Sequence, residues 1–215
     1  MNKLAIFDLD GTVLDSLEDI CDCLNVAFER FGYPKYSYAY LKKCVGLDSA
    51  TLVNTALGGN VPIKKCREIW DYFASVVAVA GTKKSKVFDG IKEVLVELKK
   101  RGYYLSLFTN KTEVELAPFI PKFLNQLGFD DVVAVGGTDR AKPSPKEVFR
   151  LLSQFSVEPK NTYLIGDGET DILTALNAKV NPVAVAWGNR TEEQLRAVGA
   201  QVFVTNPLEL LSILN

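Results

Sequence analysis

Six short apolar runs set what this chain can become: KLAIFDLD from Lys3, YYLSLFTN from Tyr103, DVVAVGG from Asp131, TYLIGDG from Thr162, PVAVAWG from Pro182 and QVFVTNP from Gln201. Their apolar residues are largely consecutive, as expected of strands covered on both faces in a parallel sheet. Each run ends in polar or glycine-rich residues. Between them, 90–101, 146–155, 170–178 and 192–198 carry apolar residues at helical spacing. Repeated βαβ units predict an α/β fold, a doubly wound, Rossmann-like parallel sheet that binds ligands at its C-terminal strand ends.

The stretch between the first and second runs is far longer than an ordinary crossover. Within it, 17–31, 38–44, 49–57 and 63–80 read as helices, separated by Gly32, Pro34, Gly46 and Gly58-Gly59-Asn60. The expectation is a small inserted α-helical cap domain over 16–85, on a catalytic core of 1–15 and 86–215. Two hinges are expected, near Ser16 and Lys84.

Composition narrows the function. With 215 residues, 47% hydrophobic, the chain can bury one good core and a small accessory domain. A formal charge of -1 gives no general basic field, so nucleic acid is not expected as a partner. From Pro34 to Lys86, however, nine lysines and arginines face Asp48, Glu68 and Asp71, a local excess of +6 expected to attract anions. No apolar stretch approaches the roughly 20 residues of a membrane span, and MNKLAIFD is too short in apolar residues for a signal peptide. A cytoplasmic protein is expected, with no membrane partner, working as a monomer or weak homodimer. Cys21, Cys23, Cys44 and Cys66 lack CxxC spacing and read as reduced, buried thiols. There is no histidine, which excludes imidazole catalysis, Ser-His and Cys-His nucleophile pairs and histidine-containing zinc sites. Acid-base work falls to carboxylates or lysine.

Four segments carry chemistry. The first run ends Asp8-Leu9-Asp10-Gly11-Thr12, and residues two apart on an extended chain point to one side, so both acids can reach one ligand. The plainer reading is a strand closed by an Asp-Gly turn. The fourth run ends Gly166-Asp167-Gly168-Glu169-Thr170-Asp171, again delivering carboxylates to the C-terminal edge. There the alternative is a helix N-cap by Asp167 with Asp171 in solvent. An oxygen-only cluster suits a hard cation, by default Mg2+. Thr109 and Asn110, closing the second run, can hold phosphate oxygens or cap a helix before Lys111. Lys142 precedes Pro143, which keeps it out of a helix; it can neutralise a phosphate or remain an ordinary solvated lysine. No GxGxxG follows a strand and no GxxxxGK occurs.

Taken together, DLDGTVLDS (from Asp8), FTN (from Phe108), KPSP (from Lys142) and GDGETD (from Gly166) resemble, in order and spacing, the haloacid dehalogenase superfamily over the whole chain. The nearest resemblance is to its phosphoglycolate phosphatase-like branch, with a helical (C1-type) cap and an ending like VAWGNRTEEQL from Val185. The resemblance implies a magnesium-dependent phosphatase acting on a small anionic phosphate ester, phosphoglycolate leading. It implies Asp8 as nucleophile, forming an aspartyl-phosphate, and Asp10 as general acid and then base. Thr109, Asn110 and Lys142 would bind phosphate, Lys142 also steadying the charge on Asp8. Mg2+ would be held by Asp8, the Asp10 carbonyl, Asp167 and, directly or through water, Asp171. Gly46 and Leu47 resemble the cap loop that faces the active site, and the basic cap residues are candidates for reading a second anionic group. Pro118 and Pro121 are expected to split the helix after Asn110. Three other readings compete: a β-phosphoglucomutase-like phosphomutase, a pyrophosphatase or nucleotidase, and a non-catalytic binding protein of the same fold. Retention of all the acids argues against the last.

Overall fold

The computed structural model describes residues 2–46 and 49–214. Among them, β1 (Lys3–Phe7) leads through a tight turn into β2 (Leu14–Asp15), and four helices follow: α1 (Leu17–Arg30), α2 (Tyr38–Leu41), α3 (Ser49–Ala56) and α4 (Ile63–Ala80). β3 (Lys86–Val87) then returns antiparallel to β2, pairing Leu14 with Val87 and Asp15 with Lys86. The remainder alternates: α5 (Ile91–Lys100), β4 (Tyr103–Thr109), α6 (Glu113–Leu116), α7 (Phe119–Lys122), β5 (Asp131–Ala134), α8 (Lys146–Phe155), β6 (Thr162–Gly166), α9 (Glu169–Ala178), β7 (Asn181–Val185), α10 (Glu192–Ala197), β8 (Phe203–Val204) and α11 (Leu210–Ile213).

The other strands form one parallel sheet in the order β5-β4-β1-β6-β7-β8. β1 is central and fully covered, its Leu4, Ala5, Ile6 and Phe7 having no exposed surface. Leu4 and Ile6 pack with Phe108, Val148, Leu151 and Ala175, while Ala5 and Phe7 belong to the cluster of Ile91, Val94 and Leu98 on the other face. Two-sided burial explains the continuous apolar run, each such side chain contributing about 1.5–3 kcal/mol. In register, Phe7 lies beside Leu107 of β4 and Ile165 of β6, so the residues after all three strands emerge at one edge. The strand order reverses there, where such sheets open a binding crevice.

One buried carboxylate ties α1 to the segment before β3. Asp19 Oδ2 accepts hydrogen bonds from the backbone N–H groups of Lys84 (2.9 Å) and Ser85 (2.7 Å) and from Ser85 Oγ (2.6 Å).

Two predicted elements differ in extent. The helix expected over 38–44 stops at Leu41, because the carbonyls of Lys42, Lys43 and Val45 turn away to the Arg190 guanidinium. The run from Gln201 pairs only through Phe203–Val204, since Glu209 draws off Thr205 and Asn206 immediately after. The helix after Asn110 is split as expected: α6 opens with a reciprocal Thr112–Glu115 cap and Pro118 begins α7.

Candidate active site

Asp8 follows β1 directly and is buried. Asp167 and Asp171 come from the end of β6 and the first turn of α9, and Lys142 comes from the loop before α8. The Lys142 ammonium stands 2.5 Å from Asp8 Oδ1 and 2.5 Å from Asp171 Oδ1. One oxygen each from Asp8, Asp167 and Asp171 lie within 4.8 Å of one another. The N-cap of α9 is Gly168, not Asp167, and Asp171 is only 2% exposed, which removes the solvated-cap alternative.

Small residues make this convergence fit. Gly11 turns at φ +85, and a Cβ there would lie 2.2 Å from Asp167 Oδ2. A Cβ on Gly188 would meet Asp167 Cβ at 2.2 Å, and one on Gly166 would meet the Asp171 carboxyl at 2.3 Å. Asp167 is also oriented by the Asn189 backbone N–H (2.7 Å) and the Thr12 hydroxyl (3.3 Å).

Three buried carboxylates share one ammonium, so the cluster carries excess negative charge. Burial raises the Asp8 carboxyl well above the usual carboxylate range; Lys142 opposes this, while Asp171, Asp167 and Asp10 add to it. Asp167 is raised to about 7, by burial and then by Asp171, against the Asn189 N–H and Lys142. Burial disfavours charge on Lys142, yet Asp171 and Asp8 hold it firmly protonated. An oxygen-only donor set with surplus negative charge fits a hard divalent cation.

Asp10 lies beside this cluster with a different set of partners. Its Oδ1 accepts from Ser16 Oγ, and its Oδ2 pairs with Lys111 Nζ at 2.9 Å. Thr109 is buried on the pocket wall, its Oγ1 accepting from the Lys111 backbone N–H at 3.2 Å. Asn110 also lines the pocket. Its Oδ1 accepts from Lys142 N at 2.8 Å and its Nδ2 donates one hydrogen to Lys142 O at 3.1 Å. The side chain expected to meet phosphate oxygens thus also clamps the lysine backbone.

The other wall comes from the helical insertion: Ile20, Val45, Gly46, Leu52, Trp70 and Phe73. Gly46 reaches the site as expected, its carbonyl accepting from Thr170 Oγ1 at 3.4 Å; Leu47 lies outside the described residues. The basic cap residues do not line the pocket. Lys84 pairs with Glu18 and Asp22, Lys65 with Glu68, and Lys86 faces Asp15. Among the described residues, the cations of the wall are Lys111, Lys142 and Arg190, all outside the insertion. Sequence reasoning missed Lys111 and Arg190. The first had a signal, its place immediately after Thr109-Asn110; the second had none short of the folded contact.

Known proteins are similar to this chain over most of its length. The family model for haloacid dehalogenase-like hydrolase matches residues 5–185. A phosphoglycolate phosphatase of Vibrio parahaemolyticus is 30% identical, over 98% of this chain and 95% of its own length. One from Vibrio cholerae is 31% identical, over 86% of this chain and 85% of that one. The crystal structure of a predicted phosphatase from Clostridium acetobutylicum superposes with a TM-score of 0.86 at 26% identity, covering 99% of this chain and 98% of that one.

Proposed function

The chain belongs to the haloacid dehalogenase-like hydrolase family and is a phosphatase of that family; from that premise we propose that it hydrolyses a small phosphate monoester through an aspartyl-phosphate on Asp8, with magnesium as cofactor and phosphoglycolate as the leading substrate. The observation that carries the reading is the Lys142 ammonium held 2.5 Å from both Asp8 and Asp171, at an edge where two neighbouring strands, β1 and β6, deliver acids.

An Asp8 oxygen attacks phosphorus while Asp10 donates a proton to the departing ester oxygen, releasing the alcohol. Asp10, now a carboxylate, takes a proton from the water that attacks the phosphoryl group, and Asp8 leaves with inorganic phosphate free. The Ser16 hydroxyl and Lys111 ammonium fix the Asp10 carboxyl for both transfers. Lys142 balances the charge shared by phosphate and Asp8, and the Thr109 hydroxyl is placed to donate to a phosphate oxygen. Asp8 and Asp167 would hold the cation with the Asp10 carbonyl. Asp171, which accepts from Lys142 and from Gly168 N at 3.0 Å, would assist directly or through water. When bound, magnesium neutralises phosphate charge and aligns it for attack.

The names of the relatives support phosphoglycolate. The four free, buried thiols support a reducing, cytoplasmic setting. Among the described residues no helix is long and apolar enough to cross a membrane.

The test is turnover with magnesium against phosphoglycolate, pyrophosphate, sugar phosphates and nucleotides, with Asp8→Asn as control. Phosphoglycolate should lead, and Asp8→Asn should lower kcat by about 10⁴-fold or more with the fold intact by circular dichroism. Comparable turnover in that variant would rule out the covalent route.

A further inference from the structure

We infer that Glu115 and Trp70 form a hydroxyl-reading pair at the leaving-group end of the pocket, so that the phosphate esters accepted there include those of alcohols carrying a further hydroxyl. The inference rests on the phosphatase reading for one point only, that the ester oxygen sits against Asp10.

Glu115 is a buried acid on the pocket wall that neither proton transfer uses. One of its oxygens is spent on the start of α6: Oε2 accepts from the Thr112 backbone N–H at 2.9 Å and from the Thr112 hydroxyl at 2.7 Å. From the described residues, Oε1 accepts no hydrogen bond and is left as an open acceptor. Burial raises the Glu115 carboxyl above its ordinary value; Lys111 and the Thr112 bonds oppose this, and Asp10 adds to it. Lys111 Nζ is in turn 2.9 Å from Asp10 Oδ2, so Glu115 belongs to the end of the pocket where Asp10 works.

An independent feature lies across from it. Trp70 lines the same pocket from α4, and its buried Nε1 has no hydrogen-bond partner among the described residues. A buried donor without an acceptor is uncommon and points to an acceptor that arrives with a ligand. α4 packs against α6, so the indole and Glu115 stand on neighbouring parts of the wall, one from the insertion and one from the core. The insertion's other side chains there, Ile20, Val45, Leu52 and Phe73, are apolar.

An open acceptor beside an open donor asks for a group that both gives and takes a hydrogen bond. A hydroxyl does so, its O–H donating to Glu115 Oε1 and its lone pair accepting from Trp70 Nε1. A carboxylate has no hydrogen for Glu115, and an alkyl chain satisfies neither group. Esters of hydroxylated alcohols therefore form a class beside phosphoglycolate, selected by different side chains.

The experiment uses two non-hydrolysable probes, 3,4-dihydroxybutylphosphonate and butylphosphonate, which have the same carbon chain and differ only in the hydroxyls. Calorimetry with magnesium present should show the wild type binding the first about 30-fold more tightly, the scale of one hydrogen bond to a carboxylate and one to a neutral donor. Glu115→Gln keeps the α6 cap, which takes either residue, and with the amide oxygen held by Thr112 it turns an NH2 donor toward the place of Oε1. There the advantage should shrink to within about threefold, and in Trp70→Phe, which keeps an aromatic ring, it should fall by about threefold. Both probes carry the same charge, so a general electrostatic or structural effect of either variant cancels in the ratio. Equal affinities in the wild type, or a ratio unchanged in either variant, would overturn the pair. Binding is read without turnover, so the expected ratios in a wild type that hydrolyses no phosphate ester would count against the phosphatase reading while upholding the pair.

Discussion

Burial and the neighbouring Asp171 carboxylate raise the Asp167 carboxyl to about 7, so in the metal-free protein this group holds its proton over much of the range in which an unfolded aspartate has lost it. The folded state then binds more protons than the unfolded one. Stability from this group is complete below the unfolded value and is lost as pH rises through about 7. A cation bound there displaces the proton, so magnesium affinity should climb as pH rises toward about 7. Calorimetry in buffers of different ionisation heat should detect proton release below that point. Affinity that is flat with pH would contradict the assignment of Asp167 as a ligand. The acids of the site were legible at this scale because apolar runs mark strand ends, and strand ends of a parallel sheet share an edge. The commitment of Asn110 to the Lys142 backbone was not legible, since it joins residues from two different loops.

Among the elements, the short antiparallel pairing of β2 with β3 and the Asp19 carboxylate together tie both ends of the helical insertion. Asp19→Ala would leave the N–H groups of Lys84 and Ser85 without their acceptor in a largely buried place, at a cost of about 3 kcal/mol. Urea unfolding should show that loss, whereas a change within about 0.5 kcal/mol, typical of surface substitutions, would mean the contact does not tie that segment to α1. Most element positions could be read from periodicity, including α4 and α8 to the residue. Where the reading overran, at 38–44 and 201–207, a side chain distant in sequence or just downstream had captured backbone groups that a local pattern assigns to helix or strand. Short-range spacing carries no information about such captures.

At the scale of the molecule, Arg190 joins the two walls of the pocket. Its Nε donates to Glu169 at 2.7 Å, and its terminal nitrogens donate to the carbonyls of Lys42 (3.1 Å), Lys43 (3.4 Å) and Val45 (2.6 Å). Arg190→Met keeps an unbranched apolar stem and removes every donor. It should lower kcat/KM by about tenfold, mainly through KM, and hasten tryptic cleavage after Lys42 or Lys43. Unchanged cleavage and kinetics would show that the walls hold together without it. The antiparallel match of Leu14 with Val87 has another result: the two ends of the helical insertion lie side by side in a small sheet of their own. To the rest of the polypeptide, everything between those partners is one large hairpin loop. Such a seam is a natural place for splicing, where a whole recognition module could be exchanged as a cassette while the reaction machinery on the strands is left intact.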